Sequence, residues 1–233
     1  MALTIFPRLN AYFPKDDASY KFYLGEDNFD FAYTVTNDTA DRRSFLSLYQ
    51  GVTEEGIAII YWEQQTGKLV IAARLRHLGQ LTRTHVFLYT SQQTRGYAFS
   101  MKVGQPGHQH VEQFEWRSTR GSEVRGLHPR AYGWKLVRVG RKSGDGGGRE
   151  VRATGESSDG KEIVAVWGTT RSSFLGWLLL RKKAFMFQLR GSGETGELGP
   201  KFHVFALMTA LQIYSMTERF VLGWGLDNTV VAF

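Results

Sequence analysis

The sequence predicts a mainly β protein, a closed antiparallel barrel that encloses a hydrophobic C-terminal α-helix. Three observations carry this prediction: many short alternating runs, turn residues at near-regular spacing between them, and one long apolar run close to the C-terminus. The chain has 233 residues, of which 42% are apolar, and it contains no Cys. This length suits one barrel, so we expect a single domain over residues 1–233, built without disulfides or cysteine-ligated metal.

Short β-type runs separated by turn residues predict the strands. In the run from His85 to Thr90, residues 85, 87 and 89 share one face, and Tyr97 to Val103 alternates in the same way. This period of two is typical of half-buried strands, and many such strands favour a barrel or a sandwich. The predicted strands are Phe29 to Val35, Ile57 to Trp62, Leu69 to Leu75, His85 to Thr90, Tyr97 to Val103, Val111 to Ser118, Tyr132 to Val139 and Glu162 to Trp167.

Two segments interrupt or extend this pattern. Residues 141–149 are rich in Gly and charge and lack the phosphate-loop spacing, which predicts a loop within a hairpin. The apolar runs Phe174 to Leu180 and Ala184 to Arg190 flank the basic residues 181–183. Each run is far shorter than the ~20 residues of a membrane span, so they predict two further strands around a basic turn.

A helix is predicted over about residues 202–219. Pro200 precedes it, Gly223 follows it, and Ala, Leu, Met and Gln fill its middle. Its apolar side chains cover nearly the whole circumference, so every side needs an apolar environment. The uncharged run of 16 residues from Phe202 to Thr217 is too short to span a bilayer. The sequence therefore places this helix inside the barrel.

Three local segments add a family resemblance. They are Tyr132–Leu136 with its aromatic-x-Trp-Lys pattern, the strand Glu162–Trp167 with its Val-Ala pair, and the helical run Ala206–Tyr214 with a central Thr and a Tyr. In this order they resemble the tubby C-terminal-like superfamily, which includes tubby proteins, phospholipid scramblases and LURP-one-related proteins, and most closely its uncharacterised basidiomycete fungal members. The resemblance implies a barrel around a central helix, and a basic barrel surface that binds phosphoinositide headgroups.

The positive charge is concentrated in the middle of the chain. Residues 1–70 carry a net charge of −4 and residues 191–233 one of −2, whereas residues 71–190 carry +13. Such a region attracts anions. Together with what the resemblance implies, it leads us to expect a non-enzymatic binding module for anionic phospholipid or phosphoinositide headgroups. The candidate ligand-binding residues lie on one strand and around the basic turn: Lys68, Arg74, Arg76, Arg171, Arg181, Lys182, Lys183 and Arg190.

Other chemistries have weaker support. His108 and His110 with Glu112 or Glu115 could ligate a metal, but the preceding Pro-Gly favours a polar loop, so neither metal nor cofactor is expected. No nucleophile elbow is present. Phe114 and Trp116 beside Arg117 and Arg120 could offer a base-stacking surface in this basic region, but no nucleic-acid-binding motif accompanies them, so a nucleic-acid partner is not expected. A small-ligand protein or enzyme with a pocket at the barrel mouth or flank remains the alternative, and a small anionic ligand is the alternative partner to an anionic membrane surface. With no signal peptide at the N-terminus, we expect a cytoplasmic protein that visits membranes peripherally.

Overall fold

The strands of this protein form a closed antiparallel barrel. The structure is a computed structural model that describes residues 6–12, 21–27, 30–38, 45–51, 56–63, 68–77, 80–91, 96–104, 107–142, 157–170 and 183–222. These residues contain twelve strands: β1 (Arg8–Tyr12), β2 (Lys21–Gly25), β3 (Phe31–Asp38), β4 (Phe45–Gln50), β5 (Gly56–Glu63), β6 (Lys68–His77), β7 (Gln80–Ser91), β8 (Gly96–Val103), β9 (His110–Thr119), β10 (Ala131–Lys142), β11 (Lys161–Thr170) and β12 (Lys183–Leu189). They also contain two α-helices, α1 (Ser122–Arg125) and α2 (Pro200–Leu222).

Sequence neighbours are neighbours in the barrel wall from β2 to β12. The first strand, β1, lies between β2 and β12 and pairs with both, which closes the ring. Leu9 faces Phe187 of β12 across this closing pair, and both side chains are fully buried. The closed ring leaves no unpaired strand edge in the described barrel.

The alternation of side chains explains which residues form the core. In β9, Phe114 and Trp116 are fully buried inside the barrel, whereas the intervening Glu115 forms an ion pair with Arg117. In β12, Phe185, Phe187 and Leu189 belong to the same interior cluster, and Met186 belongs to a separate apolar cluster outside the barrel. The predicted period of two therefore corresponds to one face in the core and one face outside it.

The helix α2 occupies the barrel interior. Its residues from Phe202 to Ile213 are 0% exposed apart from His203 and Gln212, so it is buried on all sides. It contacts β5 and β6 on one side and β12 on the other, and β6 and β12 are six positions apart in the ring of twelve. In a barrel of about eight strands, the side chains of the strands themselves fill the interior. Twelve strands enclose a wider space, which this helix fills.

A buried ion cluster fastens the segment that leads into α2. The guanidinium of Arg138, only 5% exposed, donates to both carboxylate oxygens of Glu112. It also reaches Glu197 at 3.0 Å, Ser192 at 3.2 Å and Glu162 at 3.4 Å. These hydrogen bonds, above all the one to Glu112, hold the pKa of Arg138 above its usual range despite burial. The cluster therefore binds the turn before α2 to β9, β10 and β11.

The predicted fold class is confirmed, and the structure adds elements that the sequence analysis did not predict. The central helix runs over Pro200–Leu222 where residues 202–219 were predicted, and the run Ala184 to Arg190 corresponds to β12. The strands β1, β2 and β4 and the short helix α1 were not predicted. Residues 143–149 of the predicted Gly-rich loop and the predicted strand Phe174 to Leu180 lie outside the described residues.

Candidate anion-binding surface

The predicted cations occupy widely separated places in the barrel. Lys68, Arg74 and Arg76 lie on β6, Lys183 begins β12, and Arg190 directly follows β12. Because β6 and β12 are six positions apart in the ring of twelve strands, these two groups stand on opposite sides of the barrel. The other three predicted residues, Arg171, Arg181 and Lys182, lie outside the described residues.

Arg190 has a structural contact within the protein. Its Nη2 donates to the backbone carbonyl of Glu123 at 2.9 Å, which ties the end of β12 to α1. Burial lowers the pKa of this guanidinium, although the charges of Glu123 and Glu194 oppose the shift. Arg190 therefore supports α1 and is only partly available to a ligand.

The segment that connects β9 to β10 folds back against the outside of the barrel. Its helix α1 lies on β10 and β11, where Val124 is 0% exposed and Leu127 is 6% exposed. These two side chains complete a small apolar cluster on the outer face of the wall. Its other members are Ala131, Val137, Ile163, Val166 and Met186. With its apolar side held against the barrel, the segment leaves Ser122 and Arg125 exposed.

The carboxylate in α1 is buried and forms an ion pair. Glu123 is 7% exposed and accepts hydrogen bonds from Lys135 Nζ and Thr119 Oγ1, each at 2.9 Å. Burial would raise the pKa of Glu123, but its own backbone N–H, Lys135 and Thr119 outweigh burial and hold the pKa below its usual range. Glu123 therefore stays ionised, and the charge of Lys135 balances its charge.

Four exposed arginines lie within this segment or beside it. Arg120, Arg125 and Arg130 belong to the segment itself, and Arg8 of β1 donates from Nη2 to the Leu127 carbonyl at 3.4 Å. We call these four residues the α1 arginine surface. Within the described part of the chain, none of the four guanidinium groups forms an ion pair with a carboxylate. Planar guanidinium groups with free donors suit phosphate and carboxylate ligands.

The sequence analysis did not select any of these four arginines as an anion-binding residue. One signal was present, because Arg117, Arg120, Arg125 and Arg130 recur within fourteen residues that contain a single carboxylate, Glu123. The contribution of Arg8 had no local signal, since it depends on the pairing of β1 with β12.

Two alternative chemistries do not fit the described side chains. Phe114 and Trp116 are both 0% exposed inside the barrel, so they offer no stacking surface to nucleic-acid bases. His110 contacts Glu112, and that carboxylate is already held by Arg138. Among the residues that the structure describes, no group of three or more His, Asp or Glu is arranged to hold a metal ion.

Comparison with known proteins adds no match, so a functional proposal rests on the fold and on the α1 arginine surface. No protein-family model, curated protein or solved structure matches this chain. Within the described residues, no helix combines the length and the apolarity needed to cross a membrane.

Proposed function

We propose that this protein is a non-enzymatic binding module that docks reversibly on anionic phospholipid headgroups through the α1 arginine surface. The observation that carries the proposal is the set of four exposed arginines that have no carboxylate partner among the described residues, around a helix whose own carboxylate is buried and paired. We infer a peripheral location on a cytoplasmic membrane surface, where anionic lipids are concentrated.

The number of charges suits reversible binding. A basic residue close to an anionic membrane contributes about 1 kcal/mol, so four arginines contribute about 4 kcal/mol, which corresponds to roughly a thousandfold preference over a neutral membrane. The segment's apolar side chains Val124 and Leu127 are buried against the barrel. They are not free to insert into the bilayer, and binding of this kind is therefore electrostatic and sensitive to salt.

The resemblance to the tubby C-terminal-like superfamily supports the same proposal. The three segments that carry it contact one another: Trp134 lies 6.4 Å from Trp167, and Trp167 lies 6.0 Å from Tyr214, measured between ring centroids. They connect β10, β11 and the central helix, as the resemblance implies for a barrel around a helix. We propose that the chain shares this superfamily's fold and its affinity for phosphorylated headgroups.

The packing of the barrel disfavours a ligand site in its interior. The stretch of α2 from Val204 to Leu211 is 0% exposed, and it is surrounded by aromatic and aliphatic side chains of the wall. An enzyme or a carrier with a site along this stretch would need space that the helix already fills. An outer surface is therefore the better candidate for binding.

Co-sedimentation with liposomes tests the proposal. The liposomes contain phosphatidylcholine alone, with phosphatidylserine, or with a phosphoinositide, at low and at physiological salt. We expect binding to the two anionic compositions at low salt, and weaker binding when salt rises. Binding to phosphatidylcholine alone at the same level, or no binding to any composition at low salt, would overturn the proposal.

A pair of triple variants locates the surface. Arg120→Gln/Arg125→Gln/Arg130→Gln removes three charges from the α1 arginine surface, and Arg74→Gln/Arg76→Gln/Lys183→Gln removes three charges from the positions predicted from sequence. We expect the first variant to lose binding and the second to retain most of it. The reverse result would move the site to β6 and β12 while leaving membrane binding itself intact.

A further inference from the structure

We propose that Ser122 is a phosphorylation site whose phosphate switches off the α1 arginine surface. This inference rests on the proposed function, because it describes the regulation of the same membrane-docking surface. The modifying partner is an arginine-directed protein kinase with ATP, identified only by the chemistry that would recognise this segment.

Ser122 is exposed and unengaged. It is the first residue of α1, and its backbone carbonyl accepts a hydrogen bond from Gly126 N at 2.9 Å. Within the described residues, its hydroxyl has no hydrogen-bond partner. The hydroxyl of Thr119 differs, because it donates to Glu123 and accepts from the Gly121 backbone N–H.

The charges around Ser122 distinguish it from other exposed hydroxyls outside the strands. Arg120 stands two residues before it and Arg125 three residues after it, both exposed. Ser122 also has an acidic neighbour, Glu123, as Ser158 has Asp159 and Thr195 has Glu194, but neither Ser158 nor Thr195 has an arginine within three residues. A kinase that selects substrates by carboxylates in its own cleft would favour the segment around Ser122 and disfavour the other two.

Access to a kinase requires the segment to open locally. α1 is a single turn, held by the backbone hydrogen bonds from Arg125 N to Gly121 O at 3.1 Å and from Gly126 N to Ser122 O at 2.9 Å. Opening also withdraws Val124 from the outer apolar cluster, separates Glu123 from Lys135 and breaks the hydrogen bond from Arg190 to the Glu123 carbonyl. These contacts are local, so opening of this single turn costs less than unfolding of the barrel, and it gives a kinase access to an extended peptide.

The chemical step is an ordinary phosphoryl transfer. The Ser122 hydroxyl oxygen forms a bond to the γ-phosphorus of ATP, and the bond from that phosphorus to the β–γ bridging oxygen breaks. ADP leaves with the electron pair, and the hydroxyl proton passes to the kinase's catalytic carboxylate. The product is a phosphoserine that carries about −1.5 to −2 charges at neutral pH.

The phosphate acts on the surface by charge. It would lower the sum of the four arginine charges from about +4 to about +2, and it can form a charge-assisted contact with Arg125 one turn further along. The removal of two effective charges predicts that affinity for anionic liposomes falls about thirtyfold. The phosphate at Ser122 touches no part of the barrel core, so the fold should persist.

Phosphorylation and binding are measured on the full chain. Purified protein is incubated with an arginine-directed serine kinase and ATP, the modified residue is mapped by mass spectrometry, and co-sedimentation with phosphatidylserine liposomes follows. Ser122→Ala is the unmodifiable control, Ser122→Glu imitates the phosphate, and Ser158→Glu adds the same charge to the turn before β11, whose described ion pairs are with Arg117 and Lys161 and not with the four arginines. We expect a phosphate on Ser122, weak binding of this form and of Ser122→Glu, and normal binding of the other two variants.

The outcomes separate this inference from the proposed function. If the unmodified protein binds liposomes but the phosphorylated form binds equally well, the switch is wrong and membrane docking stands. If the kinase leaves Ser122 unmodified while it modifies a control peptide of residues 116–130, the site is wrong. If Ser158→Glu weakens binding as much as Ser122→Glu, the effect is one of net charge and the local switch is rejected. Failure of the unmodified protein to bind any anionic liposome removes both proposals together.

Discussion

Trp116 Nε1 donates a hydrogen bond to Thr209 Oγ1 at 2.9 Å, which joins the barrel wall to the central helix across 93 residues of sequence. Both residues are 0% exposed. The Thr209 hydroxyl also lies 2.8 Å from the Phe205 carbonyl and 3.0 Å from the Ala206 carbonyl, so it accepts from the indole and donates to its own helix. This bond gives a direction and a register to a helix that is otherwise held by non-directional apolar packing.

Replacement of Thr209 by Val should destabilise the protein. Val keeps nearly the same shape but removes the acceptor, which leaves the buried indole N–H of Trp116 without a partner. A buried donor left unpaired costs about 1–3 kcal/mol. Urea denaturation should therefore show a free energy of unfolding lower by about this amount.

Thr209→Ser is the matched control for this prediction. It retains the hydroxyl and removes only a methyl group, so the hydrogen bond to Trp116 persists. Because Thr209→Val retains this methyl group, its own loss of stability reports on the hydroxyl; a Thr209→Val variant as stable as the wild type would show that the hydrogen bond contributes nothing measurable.

The sequence was informative where the signal was local. The uniform apolarity from Phe202 to Met216 required a buried helix, and alternation within single strands such as Tyr97–Val103 gave their positions. β1 gave no such signal. Its Asn10 is a polar residue that is only 2% exposed, and its buried side-chain amide donates to the Glu26 carbonyl at 2.7 Å. The strand that β1 pairs with, β12, lies more than 170 residues away in sequence. This segment is a strand because it pairs with β2 and β12 and so closes the ring.

The candidate surface was less predictable than the fold for the same reason. A net charge of +13 over residues 71–190 does not show which cations are free. Arg138 and Arg117 lie in this region, yet each is held by carboxylates: Arg138 by Glu112, and Arg117 by Asp159 at 2.9 Å. The free cations are those left over after pairing, and pairing depends on the register of strands that are distant in sequence.

Loss of the Arg138 side-chain charge should be strongly destabilising. Arg138→Met keeps much of the buried aliphatic volume but leaves the carboxylate of Glu112, which is 10% exposed, without its cation. Removal of one partner from a buried ion pair costs about 3–5 kcal/mol. Lys102→Met, a change at an exposed position on β8, should stay within about 0.5 kcal/mol of the wild type in the same urea titration. Equal behaviour of the two variants would show that the cluster does not hold the turn before α2.

Stability should fall in acid as Asp159 is protonated. Burial would raise the pKa of Asp159, but hydrogen bonds from Ser157 and Arg117 lower it from 3.8 to about 2. A carboxylate whose pKa is lower in the folded state stabilises the protein above the unfolded pKa, and this stability is lost as pH falls through the folded pKa. Thermal unfolding at pH 5, 4, 3 and 2 should therefore show a smaller decline below pH 4 for Asp159→Asn than for the wild type. An identical decline would exclude Asp159 from the acid response.

The close contact between Gly168 of β11 and Val124 of α1 predicts that a single methyl group can displace the arginine surface. A Cβ atom on Gly168 would lie 2.8 Å from Val124 Cγ1, 3.3 Å from the Tyr132 backbone oxygen and 3.4 Å from the Ala131 Cβ. Gly168→Ala should therefore push α1 away from the barrel, with a loss of about 1–3 kcal/mol in the free energy of unfolding and weaker binding to anionic liposomes.

A second substitution distinguishes displacement of α1 from a general effect on β11. Val124→Ala removes the methyl group that the new Cβ would meet, so the double variant Gly168→Ala/Val124→Ala should be more stable than the two single losses together predict. Residues in contact show such coupling, at about 0.5–3 kcal/mol, whereas independent sites add. Additive losses would show that Gly168→Ala acts within the strand, and that α1 does not depend on this contact. Recovery of stability with recovery of liposome binding in the double variant would tie the position of α1 directly to docking.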